Sequence, residues 1–231
     1  MPTLRARRIE AATFEPRFFE RSHLFWPIAR AARMFAECTD WPEPAELARA
    51  FADDAPVTFV PAAPRPRRRK GPVEAGRLYD ARIVLERCVP TRARSWHDYL
   101  NALVWATFPR AKAALHARQH QALAGRIVPG ATRLPSTRSR EHDALALIDE
   151  GGLVVLEASD APAVSLIFGH ALYEGLVLGV RAMITRAVVA RVAHVPEIAE
   201  ERTALADRVL EACITAPELA PECLPRVALE P

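Results

Sequence analysis

The chain has 231 residues, 50% hydrophobic and 26% charged, which excludes a wholly disordered chain and suffices for one sizeable core or two small ones. No run approaches ~18 consecutive apolar residues, so a helix crossing a bilayer is excluded. With 31 Lys and Arg against 28 Asp and Glu, the net charge is +3, too small by itself to argue for nucleic acid.

Residues 1–54 read as an N-terminal helical block. Within it Phe18, Phe25, Ile28, Ala32 and Phe35 recur at helical steps apart from one longer gap, and Pro27 either kinks this helix or opens a second one. WPEPAELARAFADD then reads as a short helix with Pro and Glu in its first turn. Residues 55–77 read as a Pro/Arg-rich linker carrying the basic run from Arg65 to Lys70; in such a connector a solvated run is a stronger reading than a phosphate-binding one.

From residue 78 to 231 an α+β domain is expected. Residues 81–88 are apolar and β-branched enough for a strand stopped by Pro90, and SWHDYLNALVWATF is a helix with Trp96, Leu100, Leu103 and Val104 on one face. A further helix runs from Pro109 to Gly125, followed by a polar loop over 126–140. DALALID and LVVLEAS flank Glu150-Gly151-Gly152, a hairpin signal; AVSLIF over 163–168 is a third strand, switching at Gly169 into the helix HALYEGLVLG. β-Branched content favours a strand over 184–195, Pro196 opens a helix to about Cys213, and the tail after Thr215 reads as irregular. The fold class is therefore α+β: a helical N-terminal block, then helices packed on a small, mainly antiparallel sheet.

Cys38, Cys88, Cys213 and Cys223 lie far apart without metal-finger spacing, as suits a reducing cytosol. The first residues lack an apolar leader pattern, and the cytoplasm is the expected compartment.

The densest polar cluster is Ser95-Trp96-His97-Asp98-Tyr99-Leu100-Asn101. On a helix His97 and Asn101 are neighbours flanking the apolar stripe, where they line a cleft or form an internal hydrogen-bonded lock. Asp98 at the third position after Ser95 has a capping-box variant as its stronger reading. His116 and His120 stand one turn apart, but without a glutamate after the first histidine they lack the zincin pattern and read as ordinary surface histidines. Asp149-Glu150-Gly151-Gly152 places two carboxylates where a divalent metal would be held; a tight turn is the stronger reading. His170 falls at a strand-to-helix switch with Glu174 one turn on, an arrangement that suits an oriented neutral imidazole or a structural His–Glu bond. Nucleophile-elbow, Walker and dinucleotide motifs are absent.

Thr91-Arg92, Ser95 to Trp105, Phe108-Pro109 with Lys112, Asp149-Glu150-Gly151 and Phe168 to Glu174 together resemble the bacterial "domain of unknown function 3025" family, whose pattern reads T-R-x-x-N-W-H-D-F-F-N-A-L-V-W, F-P-x-x-K, D-E-x-G and G-H-A-L-x-E. The resemblance covers pieces of roughly Tyr79 to Thr185. Ser95 departs from an asparagine, and Tyr99-Leu100 from two phenylalanines. The resemblance groups these motifs but implies no activity.

Two classes of function stay open. One is a metal-dependent hydrolase in which His97, Asn101, His170 and Glu174 form the catalytic set, Asp98, Asp149 and Glu150 hold a divalent metal, and Arg92, Arg94, Trp96 and Trp105 contact substrate. The other is a non-catalytic module that binds a small molecule or protein and uses the same residues as a buried polar network; the lack of a catalytic motif favours it. Nucleic-acid binding through residues 65–70 is the weakest reading, and no membrane association is expected.

Overall fold

The computed structural model describes residues 13–63, 72, 74–128, 130–135, 137–180 and 182–229; the basic run at 65–70 lies outside them. Eight α-helices and six strands follow the order α1 (Ala29–Arg33), α2 (Pro44–Ala50), β1 (Thr58–Pro61), α3 (Tyr79–Glu86), β2 (Cys88–Thr91), α4 (Trp96–Thr107), α5 (Pro109–Ala124), α6 (Arg140–Gly151), β3 (Gly152–Ala158), β4 (Ala161–Ile167), α7 (His170–Val177), β5 (Met183–Arg191), α8 (Ala199–Thr215) and β6 (Arg226–Leu229), among the described residues. A four-stranded sheet runs β4-β3-β5-β6, antiparallel at both outer pairs and parallel between β3 and β5, while β1 and β2 form a separate parallel pair. The α+β class and the mainly antiparallel sheet are as the patterning predicts. None of the helices is long and apolar enough to cross a membrane, among the described residues.

The N-terminal stripe is buried as read: Phe18, Phe25, Ile28, Ala32 and Phe35 are each at most 5% exposed. The backbone beneath it is less regular. Pro27 sits inside a six-residue 3-10 helix, His23–Ile28, because its ring removes the donor an α-turn needs, and only α1 continues as α-helix. Phe14, Phe18, Trp41, Trp96 and Tyr99 then form an aromatic cluster that joins this segment to α4, and Phe25 stacks on Tyr173 of α7. The hydrophobic core does not divide at the composition break; one cluster runs from Phe18 to Leu224.

Four local expectations are corrected. Residues 81–86 belong to α3 rather than a strand; the strand begins only at Cys88 and runs through Pro90 to Thr91. Ala81, with Leu78 before the helix, packs against Leu123 and Ile127, and Ile83 lies in the main core, while Tyr79 and Leu85 stay exposed. Within the linker, Thr58–Pro61 is a strand whose Phe59 packs beside Val89 of β2. DALALID belongs to α6, capped by Ser139, whose hydroxyl accepts from the His142 amide at 3.1 Å; Ala144, Leu145 and Ile148 are its buried stripe. Gly151-Gly152 is thus a helix-to-strand switch, and the hairpin turns at Ser159-Asp160. Finally, the tail contains β6, whose Val227 carbonyl accepts from the Thr185 hydroxyl at 3.0 Å.

Candidate metal centre

Three helix ends converge on one cleft. Ser95 caps α4, its hydroxyl accepting from the Asp98 amide at 3.4 Å, which places His97 in the first turn. Glu150 is in the last turn of α6. His170 opens α7, and Gly169 before it lies against the carbonyl of Glu150, where any Cβ would overlap that backbone; only glycine lets α7 start so close to the end of α6.

The resulting contacts are between residues far apart in the chain. His97 Nδ1 lies 3.0 Å from Glu174 Oε2. Since a carboxylate accepts, this nitrogen is the donor, and in a neutral His97 ring the lone pair is then on Nε2. That lone pair faces His170 Nε2 at 3.0 Å, and His170 Nε2 is 3.5 Å from Glu150 Oε2. On the far side of the His170 ring, Nδ1 faces Asp149 Oδ1 at 3.7 Å. Ligand atoms of His97, Glu150 and His170 all lie within 4.8 Å of one another.

Electrostatics sharpen this picture. Burial pushes the His170 imidazole down to about 3, against the pull of Asp149 and with help from Lys112 and His97, so its neutral form prevails at neutral pH. Burial opposes the charge on Asp149, but Lys112, His170 and His116 outweigh it and hold the carboxyl well below the usual range. Glu150 is pushed up, first by burial and then by Asp149. Beneath the cleft the fully buried Lys112 donates to Asp149 at 2.6 Å, its ammonium 5.6 Å from the ring centre of Trp105 and 6.0 Å from that of Phe168.

The cleft has a volume of about 990 Å³, and its lining includes Arg77, Tyr79, Arg82, Arg92, Asn101 and Glu150. Asn101 is 7% exposed; its Nδ2 donates to the Tyr79 hydroxyl at 3.4 Å, while Oδ1 is buried without a hydrogen-bond partner among the described residues.

Several residues singled out in the sequence take other places. Trp96 and Trp105 are core residues, 2% and 0% exposed, the first in the aromatic cluster and the second stacked on His116, so neither can contact a ligand in the cleft. Arg94, held by Asp40, does not line it. Asp98 is not a ligand: it accepts from the Arg92 amide at 2.6 Å and from the Arg92 guanidinium, tying the β2–α4 loop down instead of completing a capping box. Asp149 is taken by Lys112, so of the three expected carboxylate ligands Glu150 alone stands in the ligand set, joined by the two histidines. His116 is buried, not a surface histidine, and is paired with Asp80 at 2.9 Å; it forms no ligand set with His120 among the described residues. Sequence reasoning did not assign roles to Lys112, Tyr79, Arg77 and Arg82. Lys112 had a signal, being one of only two lysines beside 29 arginines and part of the F-P-x-x-K motif; the other three had none.

A family model described as "Protein of unknown function (DUF3025)" matches residues 67–166. Over that stretch the chain is similar to DUF3025. The DUF3025 match contains His97, Asn101, Lys112, Asp149 and Glu150 and ends before His170 and Glu174. No curated protein and no solved structure matches the chain.

Proposed function

We propose that this protein is a metal-dependent hydrolase whose divalent transition metal is held by His97, His170 and Glu150 at the floor of the cleft. One observation carries the reading: two imidazole Nε2 atoms face each other at 3.0 Å while each ring turns its Nδ1 towards a carboxylate, Glu174 or Asp149. His170 Nδ1, 3.7 Å from Asp149 Oδ1, has no hydrogen-bond partner among the described residues; where both Nδ1 atoms carry the proton, the facing Nε2 atoms are two lone pairs that a cation between them would reconcile. Cis ligands at ~2.0–2.1 Å from one ion lie about 3 Å apart, the separation seen. Carboxylates behind metal-binding histidines fix the tautomer and raise ligand basicity, which is the role this reading gives Glu174 and Asp149.

Two histidines and one carboxylate leave coordination positions open, as catalytic sites do and closed structural sites do not. A bound ion there would supply an activated water and polarise the substrate. The chain's own contribution is to present the neutral His170 imidazole, to hold Asp149 ionised through Lys112, and to offer the Tyr79 hydroxyl and Asn101 amide for orienting substrate.

Elemental analysis of untagged protein tests the proposal, together with a cobalt(II) titration followed by its visible absorption. Close to one transition-metal ion per chain is expected, with loss of retention in His170→Asn. Protein that retains no metal and gives no cobalt spectrum would leave the same residues as a structural network, the reading of a non-catalytic binding module.

A further inference from the structure

Three guanidinium groups, from Arg77, Arg82 and Arg92, line the same cleft as the ligand set, and their charges are answered unequally. Of the three carboxylates on the lining, Asp98 is engaged by Arg92, Asp149 by Lys112 from below, and Glu150 belongs to the ligand set. Among the described residues, the carboxylates paired with Arg77 and Arg82 are exposed glutamates one turn away, Glu74 at 2.7 Å and Glu86 at 3.1 Å, pairs of a kind that contribute little and exchange readily. Arg92 uses Nε and Nη2 on Asp98, which fixes the plane of its guanidinium, and it lies near enough to Glu174 and Tyr79 for both to act on it electrostatically. Among the lining residues alone, the three guanidinium groups and a divalent cation on the floor would outnumber in charge the three carboxylates.

We infer that the cleft takes a small phosphate monoester, with Arg77, Arg82 and Arg92 receiving the phosphate oxygens that the His97–Glu150–His170 centre does not; this rests on the metal reading above. A monoester has three non-ester oxygens and up to two negative charges, so one oxygen can lie on the cation while others meet guanidinium forks. A carboxylate, with two oxygens and one charge, cannot answer both sets. Ala62, Ala63 and Pro90 line the cleft without polar side chains and suit the organic part of the ester. In the hydrolysis a water oxygen bonds to phosphorus as the ester P–O bond breaks; one water proton ends on the released alcohol and the other on inorganic phosphate.

The test is calorimetric titration of metal-loaded full-length protein with inorganic phosphate, the product, beside an acetate control, in wild type and in Arg77→Gln/Arg82→Gln. Both replaced side chains belong to exposed pairs, so the variant is expected to fold. Phosphate should bind the loaded wild type, acetate should bind far more weakly, and the variant should keep its metal while losing about tenfold in phosphate affinity. If metal is retained but phosphate fails to bind, or binds both proteins alike, or no better than acetate, the inference falls and the metal centre stands. If no metal is retained, the underlying reading fails and takes the inference with it.

Discussion

At the scale of single residues, the polar groups beneath the cleft form one chain of contacts, Glu174–His97–His170–Asp149–Lys112. Lys112 is the member with no access to water, so its replacement leaves Asp149, whose side chain is 14% exposed, without its cation. Lys112→Met is expected to cost about 3–5 kcal/mol by chemical denaturation, and Lys112→Met combined with Asp149→Asn distinctly less, because the second change removes the stranded charge. His170 contributes to the pH dependence of the metal-free protein. Its folded pKa, about 3, lies below the ordinary 6.5, so between those values the unfolded chain takes up a proton that the folded chain does not. Stability measured in chelator should therefore fall as pH drops from about 6.5 towards 3, by at most ~1.4 kcal/mol per pH unit from this group. His170→Gln, neutral throughout, should flatten that slope; an unchanged slope would show that the imidazole is not held neutral. Of the residues in this chain of contacts, the histidines and Glu174 were legible from helical spacing. Lys112 stood out by its rarity and its F-P-x-x-K motif, but its burial did not, since nothing in a local pattern tells a buried lysine from an exposed one.

At the scale of elements, the decisive feature is the junction of α6, β3 and α7. The Gly152 carbonyl accepts from the amides of both Phe168 and Gly169 at 2.9 Å, pinning the start of α7 to the start of β3. Gly169→Ala would drive a methyl group into the Glu150 carbonyl, so the helix ends must separate. Overpacking of this kind typically costs about 1–3 kcal/mol. The expected result is a lower melting temperature together with loss of metal retention; retained metal at wild-type affinity would show that the junction does not position the centre. The same junction explains an error of reading. An acid pair before two glycines fits a tight turn and a helix end equally well in one dimension, and the alternating Ala-Leu-Ala-Leu run imitated a strand. Ser139 as a cap, with Glu141 and Asp143 in the first turn, was the signal for a helix.

At the scale of the whole molecule, the continuous core from Phe18 to Leu224 couples the N-terminal segment to the cleft: Trp96 and Tyr99 of the aromatic cluster sit on the same helix as His97, and Phe25 stacks on Tyr173, whose helix begins at His170. Unfolding is accordingly expected to be one cooperative transition, with tryptophan fluorescence, which reports on Trp26, Trp41, Trp96 and Trp105, coincident with far-ultraviolet circular dichroism. Two resolved transitions would mean that the N-terminal segment folds as a separate unit. Phe25→Ala should lower the single midpoint, not split it, with a loss of about 3–5 kcal/mol for a buried phenylalanine.

What the amino-acid order determined unaided is what depends on neighbours within a turn or two. The α+β class, the WHD helix with its Ser95 cap, the strand-to-helix switch at Gly169 and the spacing of His170 and Glu174 all follow from side-chain periodicity and backbone permissiveness, which act over a few residues. What only the tertiary structure decided is which of these segments meet. His97 and Glu174 are 77 positions apart, Lys112 and Asp149 are 37, and the buried face of α3 is split between two apolar clusters. Burial and partner choice are properties of the packed chain: the same aspartate is a cap, a ligand or a counter-ion according to which cation the fold brings beside it.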